Sequence, residues 1–219
     1  MGKFIYGEKN GTHILDLRKS LPLLENSIKF AFESSKQKKK FLFVSTKKQH
    51  SDIVKTIAEE TNNFYVNFRW LGGMLTNWNT VKKSINTLKE YESILSSEEN
   101  LFTKKELGDI EKKKIRLDKT LGGILEMKNI PDVIFIIDTN KEHIAVLEAK
   151  KLGIPIIAII DTNCDPDPID YPIPANDDGV KSVQFILDNF SKVIKLSSEK
   201  METPSENDNS QKESEEKNV

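Results

Sequence analysis

Cysteine is almost missing: Cys164 is the only one in 219 residues, so no internal disulfide can form. Three histidines, His13, His50 and His143, are scattered along the chain, and with one thiol they cannot supply a four-ligand structural zinc site. No apolar run approaches the roughly 18 to 20 residues that span a bilayer. Lys3, Tyr6 and Glu8 interrupt the N-terminus where a signal peptide would need an unbroken apolar core. These absences predict a soluble, intracellular protein held together by its core. Glycine is missing where nucleotide chemistry would need it. The segment Ser45-Thr46-Lys47-Lys48-Gln49-His50 follows an apolar run yet has no glycine to bring backbone amides around a pyrophosphate, which disfavours a nucleotide-binding loop.

A net charge of −1 conceals an uneven distribution. Residues 1–89 hold 14 Lys and 2 Arg against 7 acids, a net +9, whereas residues 90–196 carry −6 and residues 197–219 carry −4. Such a split points to a first half that faces a polyanion and a second half that faces solvent or other proteins, although lysines also merely solvate helix faces.

Apolar runs at 41–44, 132–137 and 155–160 read as strands, with weaker ones at 64–66 and 171–174. Val133-Ile134-Phe135-Ile136-Ile137 does not alternate with polar residues, as expected of a strand covered on both faces in a parallel sheet. Segments 17–34, 49–60, 141–152 and 179–194 show helical spacing between the strands, which predicts a doubly wound α/β sheet. Asn10-Gly11, flanked by Phe4-Ile5-Tyr6 and His13-Ile14-Leu15, predicts a small hairpin ahead of it. Residues 77–127 break the β-α alternation. Val81, Ile85, Leu88 and Leu95, then Leu107, Ile110, Leu117, Leu121 and Ile124, predict two antiparallel helices in a coiled-coil-like inserted hairpin, with Glu92 and Lys114 as polar exceptions on the seam. Thr103 and Glu106 have the spacing of a capping box for the second helix. The chain thus divides into an α/β body (1–76 and 128–196), a hairpin (77–127) and an acidic tail (197–219) whose composition predicts disorder.

The sheet's strand-end loops are where an enzyme of this class would place its site. Asp161-Thr162-Asn163-Cys164-Asp165-Pro166-Asp167-Pro168-Ile169-Asp170 offers oxygen ligands, but its residues are also ordinary turn formers and the calcium-loop spacing is missing, so no metal and no cofactor are expected. Asn176-Asp177-Asp178 reads as cap and first-turn acids of the last helix. Cys164 lies among acids that do not activate a thiolate, and no nucleophile context surrounds the histidines. Asn67 to Lys83 is different. Arg69 can clamp a phosphate; Trp70 and Trp78 can stack on a base or pack in the core; Gly72-Gly73 allows close backbone approach; Lys82 and Lys83 begin a basic helix.

Tyr65-Val66-Asn67-Phe68-Arg69-Trp70-Leu71-Gly72-Gly73-Met74-Leu75-Thr76-Asn77 closely resembles the signature of the ribosomal protein S-two family of bacterial and organellar small subunits. Gly7-Glu8-Lys9-Asn10-Gly11, His13-Ile14-Leu15-Asp16-Leu17, Thr46-Lys47-Lys48-Gln49, Leu121-Gly122-Gly123-Ile124, Lys141-Glu142-His143-Ile144-Ala145, Asp161-Thr162-Asn163-Cys164-Asp165-Pro166 and Pro174-Ala175-Asn176-Asp177-Asp178 resemble it in the same order. The resemblance implies a flavodoxin-like sheet with a protruding helical hairpin and no catalysis. It implies binding to small-subunit rRNA and neighbouring ribosomal proteins, in the bacterial cytoplasm or an organellar matrix, with no small-molecule substrate and no membrane. Lys9, Lys47, Lys48, Arg69, Trp70, Asn77, Lys82 and Lys83 are the expected RNA contacts. Family members usually carry a further segment ahead of the position matching Lys3, with a His-Phe-Gly-His block and a basic Arg-Trp-Asn-Pro stretch, which does not stand in this sequence. Two rivals remain: a flavodoxin-like enzyme binding a nucleotide or sugar phosphate at its strand-end loops, and an adaptor working mainly through its hairpin.

Overall fold

The computed structural model describes residues 1–97 and 102–202, the last five through their backbone alone. Five strands form one sheet: β3 (Phe41–Val44), β4 (Phe64–Val66), β5 (Val133–Ile137), β6 (Ile156–Ile160) and β7 (Tyr171–Pro174). Their order is β4-β3-β5-β6-β7, and every neighbouring pair is parallel. This is the flavodoxin-like order, with its topological switch point between β3 and β5. Ahead of it, β1 (Ile5–Lys9) and β2 (Thr12–Leu15) form the antiparallel hairpin, with Asn10 and Gly11 both at positive φ in its turn.

The continuous apolar runs cover both faces of the sheet. Phe41, Phe43, Val133, Phe135, Ile137, Ile157 and Ile159 pack under α1 (Leu17–Lys36), α2 (Ser51–Glu60) and α6 (Val180–Glu202). The intervening Leu42, Val44, Ile134, Ile136, Ile156, Ala158 and Ile160 face α5 (His143–Leu152), the loop from Trp70 to Leu75 and the root of the inserted helices. The alternation of strand side chains therefore sends one half of each run to each layer.

The inserted helices are α3 (Trp78–Ser96) and α4 (Lys104–Leu121). Their root is the buried part, through Val81, Ile85, Leu88, Leu121 and Ile124; Leu95, Leu107 and Ile110 are only half-buried. Lys114 and Glu92, the polar exceptions on the seam, face each other across it at 3.4 Å. Thr103 and Glu106 form the expected capping box, while residues 98–101 of the turn lie outside the described residues.

Two boundaries differ from expectation. Helix α5 starts at His143 because the Asp138 carboxylate accepts hydrogen bonds from the Asn140 and Lys141 amides and holds those residues in a turn. Helix α6 runs on through Glu202, past the point where composition predicts a disordered tail, and buried Ser197 donates to Ser35 on α1. Residues 203–219 of that tail lie outside the described residues. No helix among the described residues is long and apolar enough to cross a membrane.

Candidate nucleic-acid interface

Strand β4 ends at Val66, and the chain then runs from Asn67 to Asn77 before α3 begins. A single carboxylate, Glu148 on α5, organises this segment. Glu148 Oε1 accepts from Trp70 Nε1 at 3.1 Å and from the Gly73 amide at 2.7 Å. Its Oε2 accepts from the Leu75 amide at 2.9 Å, the Thr76 amide at 3.0 Å and the Thr76 hydroxyl at 3.1 Å. Gly73 reaches this geometry at φ +86°, a left-handed backbone that side chains disfavour. Glu148 is 7% exposed, and burial alone pushes its acidity up; the converging donors, led by the Thr76 and Leu75 amides, outweigh that and hold the carboxyl below the ordinary glutamate range. Sequence reasoning missed this residue. Its one signal is an acid on the helical face that Ala145 and Ala149 bury.

The expected contacts separate into two groups. Trp70 is 8% exposed with its indole N–H on Glu148, so it packs in the core and has no ring face to offer a base. Lys47 is likewise withdrawn. Its ammonium contacts Asp138 at 2.8 Å, Asp177 at 2.9 Å and Asp178 at 2.8 Å, using its three donors on three carboxylates, and its side chain is 17% exposed. Although burial opposes the charge, these carboxylates hold Lys47 well above the ordinary lysine range, while the same ammonium holds Asp178 below the usual carboxylate range. Asp177 is pushed up, because burial outweighs the help of Lys47. The two acids thus serve an internal cluster and not the helix start; Asn176 Oδ1 instead accepts from the Asp178 and Gly179 amides.

Lys9, Lys48, Arg69, Asn77, Lys82 and Lys83 are exposed. Lys9 ends β1 beside the turn, Lys48 opens the 3-10 turn before α2, and Asn77 precedes α3, its side chain accepting from the Thr80 hydroxyl. None of the five cations in this set has an ion-pair partner among the described residues. Lys82 and Lys83 lie near the positive end of α3, whose first turn has no acid, a placement that helix electrostatics disfavours and an anionic partner relieves. Phe68, absent from the expected contacts, is 57% exposed.

The crevice at the switch point, where a ligand of this topology would sit, is filled by the chain itself. Buried Glu142 accepts from the Thr46 amide and hydroxyl, joining the loop after β3 to the turn before α5, and Lys47 with Asp138 lies beside it. Asp138, Cys164 and Asp177 bring ligand atoms within 4.8 Å of one another, and Lys47 already supplies the positive charge for both carboxylates.

The chain matches the family model for Ribosomal protein S2 over residues 1–197. It is similar to the small ribosomal subunit protein uS2 of Wolbachia pipientis subsp. Culex pipiens, 59% identical over 187 residues that cover 84% of this chain and 69% of that protein. The protein of the same name from Wolbachia pipientis wMel is 60% identical over 84% of this chain and 66% of its own length. That from Brucella ovis is 50% identical over 86% of this chain and 74% of its own length. The chain spans about two thirds of the length of these Wolbachia relatives. With its parallel sheet, its inserted helices and a match along residues 1–197, this chain belongs to the ribosomal protein S2 family.

Proposed function

We propose that this protein is a structural component of a bacterial-type small ribosomal subunit, binding its rRNA and neighbouring ribosomal proteins during translation, without catalysis. The observation that carries the proposal is the Arg69 loop: Glu148 locks its backbone from Trp70 to Thr76, while Arg69 stays exposed and without an ion pair. A pre-ordered loop presents a guanidinium to phosphate without first having to be fixed. Lys9, Lys48, Lys82 and Lys83 extend the same contact, with Asn77 as a polar neighbour. In this scheme the body (1–76 and 128–196) meets RNA. The hairpin (77–127), paired as a coiled coil along its seam, is a second contact surface, and the location is wherever the ribosome is, the cytoplasm in a bacterium.

Sedimentation of cell lysate through a sucrose gradient tests this. The chain is expected to travel with small subunits. Recovery only at the top of the gradient, free of them, would sink the assignment.

A further inference from the structure

Phe68 is a large apolar side chain left facing solvent in a segment that is otherwise pinned down. On one side, Asn67 donates from its side-chain amide to the Ser51 carbonyl at 3.1 Å. On the other, Trp70 is buried and tied to Glu148 at 3.1 Å. The two residues between these anchors, Phe68 and Arg69, are both exposed, so the chain presents a ring and a guanidinium side by side from a backbone fixed at each end.

Phe68 also lines a cleft of about 280 Å³ between α2, the end of β4 and the end of α4. Its walls carry Lys55, Lys119 and Thr120, and Asp118 is the single acid among them. Lys119 has no ion pair among the described residues, and Lys55 reaches only Glu59, at 3.9 Å along its own helix.

Other exposed aromatics sit in different surroundings. Tyr6 has the Arg18 guanidinium 5.6 Å from its ring centre, and Phe185 belongs to an apolar groove with Leu17, Leu21 and Leu24. Phe68 alone joins an open ring face to a polar, cation-bearing cleft and a neighbouring arginine.

We propose that Phe68 is the stacking platform for an unpaired base of RNA, with Arg69, Lys55 and Lys119 on the phosphates that flank it. The cleft receives the nucleotide; the ring supplies attraction that does not depend on base identity. This rests on the RNA-binding role proposed above and adds to it a contact that is not a phosphate contact, which is how the two can be told apart.

The test is equilibrium binding of the full chain to small-subunit rRNA transcribed from the same genome, at several salt concentrations. Phe68→Leu keeps the apolar bulk without the ring, and Phe68→Tyr keeps the ring. Phe68→Leu is expected to weaken binding by about tenfold, as loss of one stacked base does, with the salt slope unchanged because no phosphate contact is removed. Phe68→Tyr is expected to bind as the unaltered chain does. Equal affinity of Phe68→Leu and the unaltered chain overturns the stacking role while leaving the RNA role intact. A weakened Phe68→Leu with a shallower salt slope overturns it as well. An unaltered chain with no salt-dependent affinity overturns both.

Discussion

Five hydrogen bonds converge on Glu148, and their number decides what replacing it does. Glu148→Gln keeps the shape but turns a donor group toward N–H and O–H donors that have no other acceptor. Leaving such buried groups unsatisfied costs about 1–3 kcal/mol each, so a loss of about 3 kcal/mol is expected in urea unfolding at neutral pH. The carboxyl is held below its ordinary range in the folded state, so its contribution is complete above the unfolded value of about 4.3 and fades as pH falls through the lower folded value. The gap between the two proteins should therefore narrow in acid. A gap that stays constant from pH 7 to pH 3 would show that the carboxylate charge is not what holds the loop. At this scale the sequence was least informative. Arg69 could be picked by its chemistry, but whether Trp70 stacked or packed depended on where a helix distant in sequence placed one glutamate. Lys47, expected on RNA, is consumed by acids more than 90 residues away in sequence. Phe68 escaped notice because spacing cannot tell an exposed aromatic from a buried one in a loop.

Elements were far more legible, because burial on both faces of a parallel sheet leaves a pattern that needs no partner to be read. β3, β4 and β7 lie where the apolar runs put them, and the helices differ only at their ends. The close junction at the exit of the hairpin was not legible. Gly123 there sits so near β4 that an added Cβ would lie 2.1 Å from the Tyr65 carbonyl oxygen, a backbone atom that no rotamer change can move. Gly123→Ala is expected to destabilise by about 1–3 kcal/mol through overpacking, lowering the thermal midpoint by several degrees. Gly122→Ala is the matched control. Its Cβ would meet the Asp118 carboxylate, at 2.8 Å, and that side chain can swing away at φ −53°, where alanine is at ease. A change within about 0.5 kcal/mol is expected for it. Equal stability of the two variants would mean that the β4 junction yields, and that the hairpin is not fixed to the sheet there.

For the whole molecule the net charge of −1 says little, since the cations of the first half stand apart from the acids of the second. Folding sharpens this separation by withdrawing Lys47 into a cluster with three of those acids and leaving Lys9, Lys48, Arg69, Lys82 and Lys83 outside it. If these five and one of the cleft lysines each neutralise a phosphate, rRNA affinity should fall by roughly 10³ between 50 and 200 mM salt. The slope identifies the contacts individually: Arg69→Met should make the plot of log affinity against log salt shallower by a little under one. Lys47→Met should leave that slope unchanged, because its charge is already spent inside the fold, while lowering stability by stranding Asp138 and Asp177 without their cation. Both variants are to be compared below the melting temperature of the weaker one. A salt-independent affinity would remove the polyanion role from the basic half. A slope change for Lys47→Met equal to that of Arg69→Met would mean instead that the carboxylate cluster opens on binding and gives its lysine to the RNA.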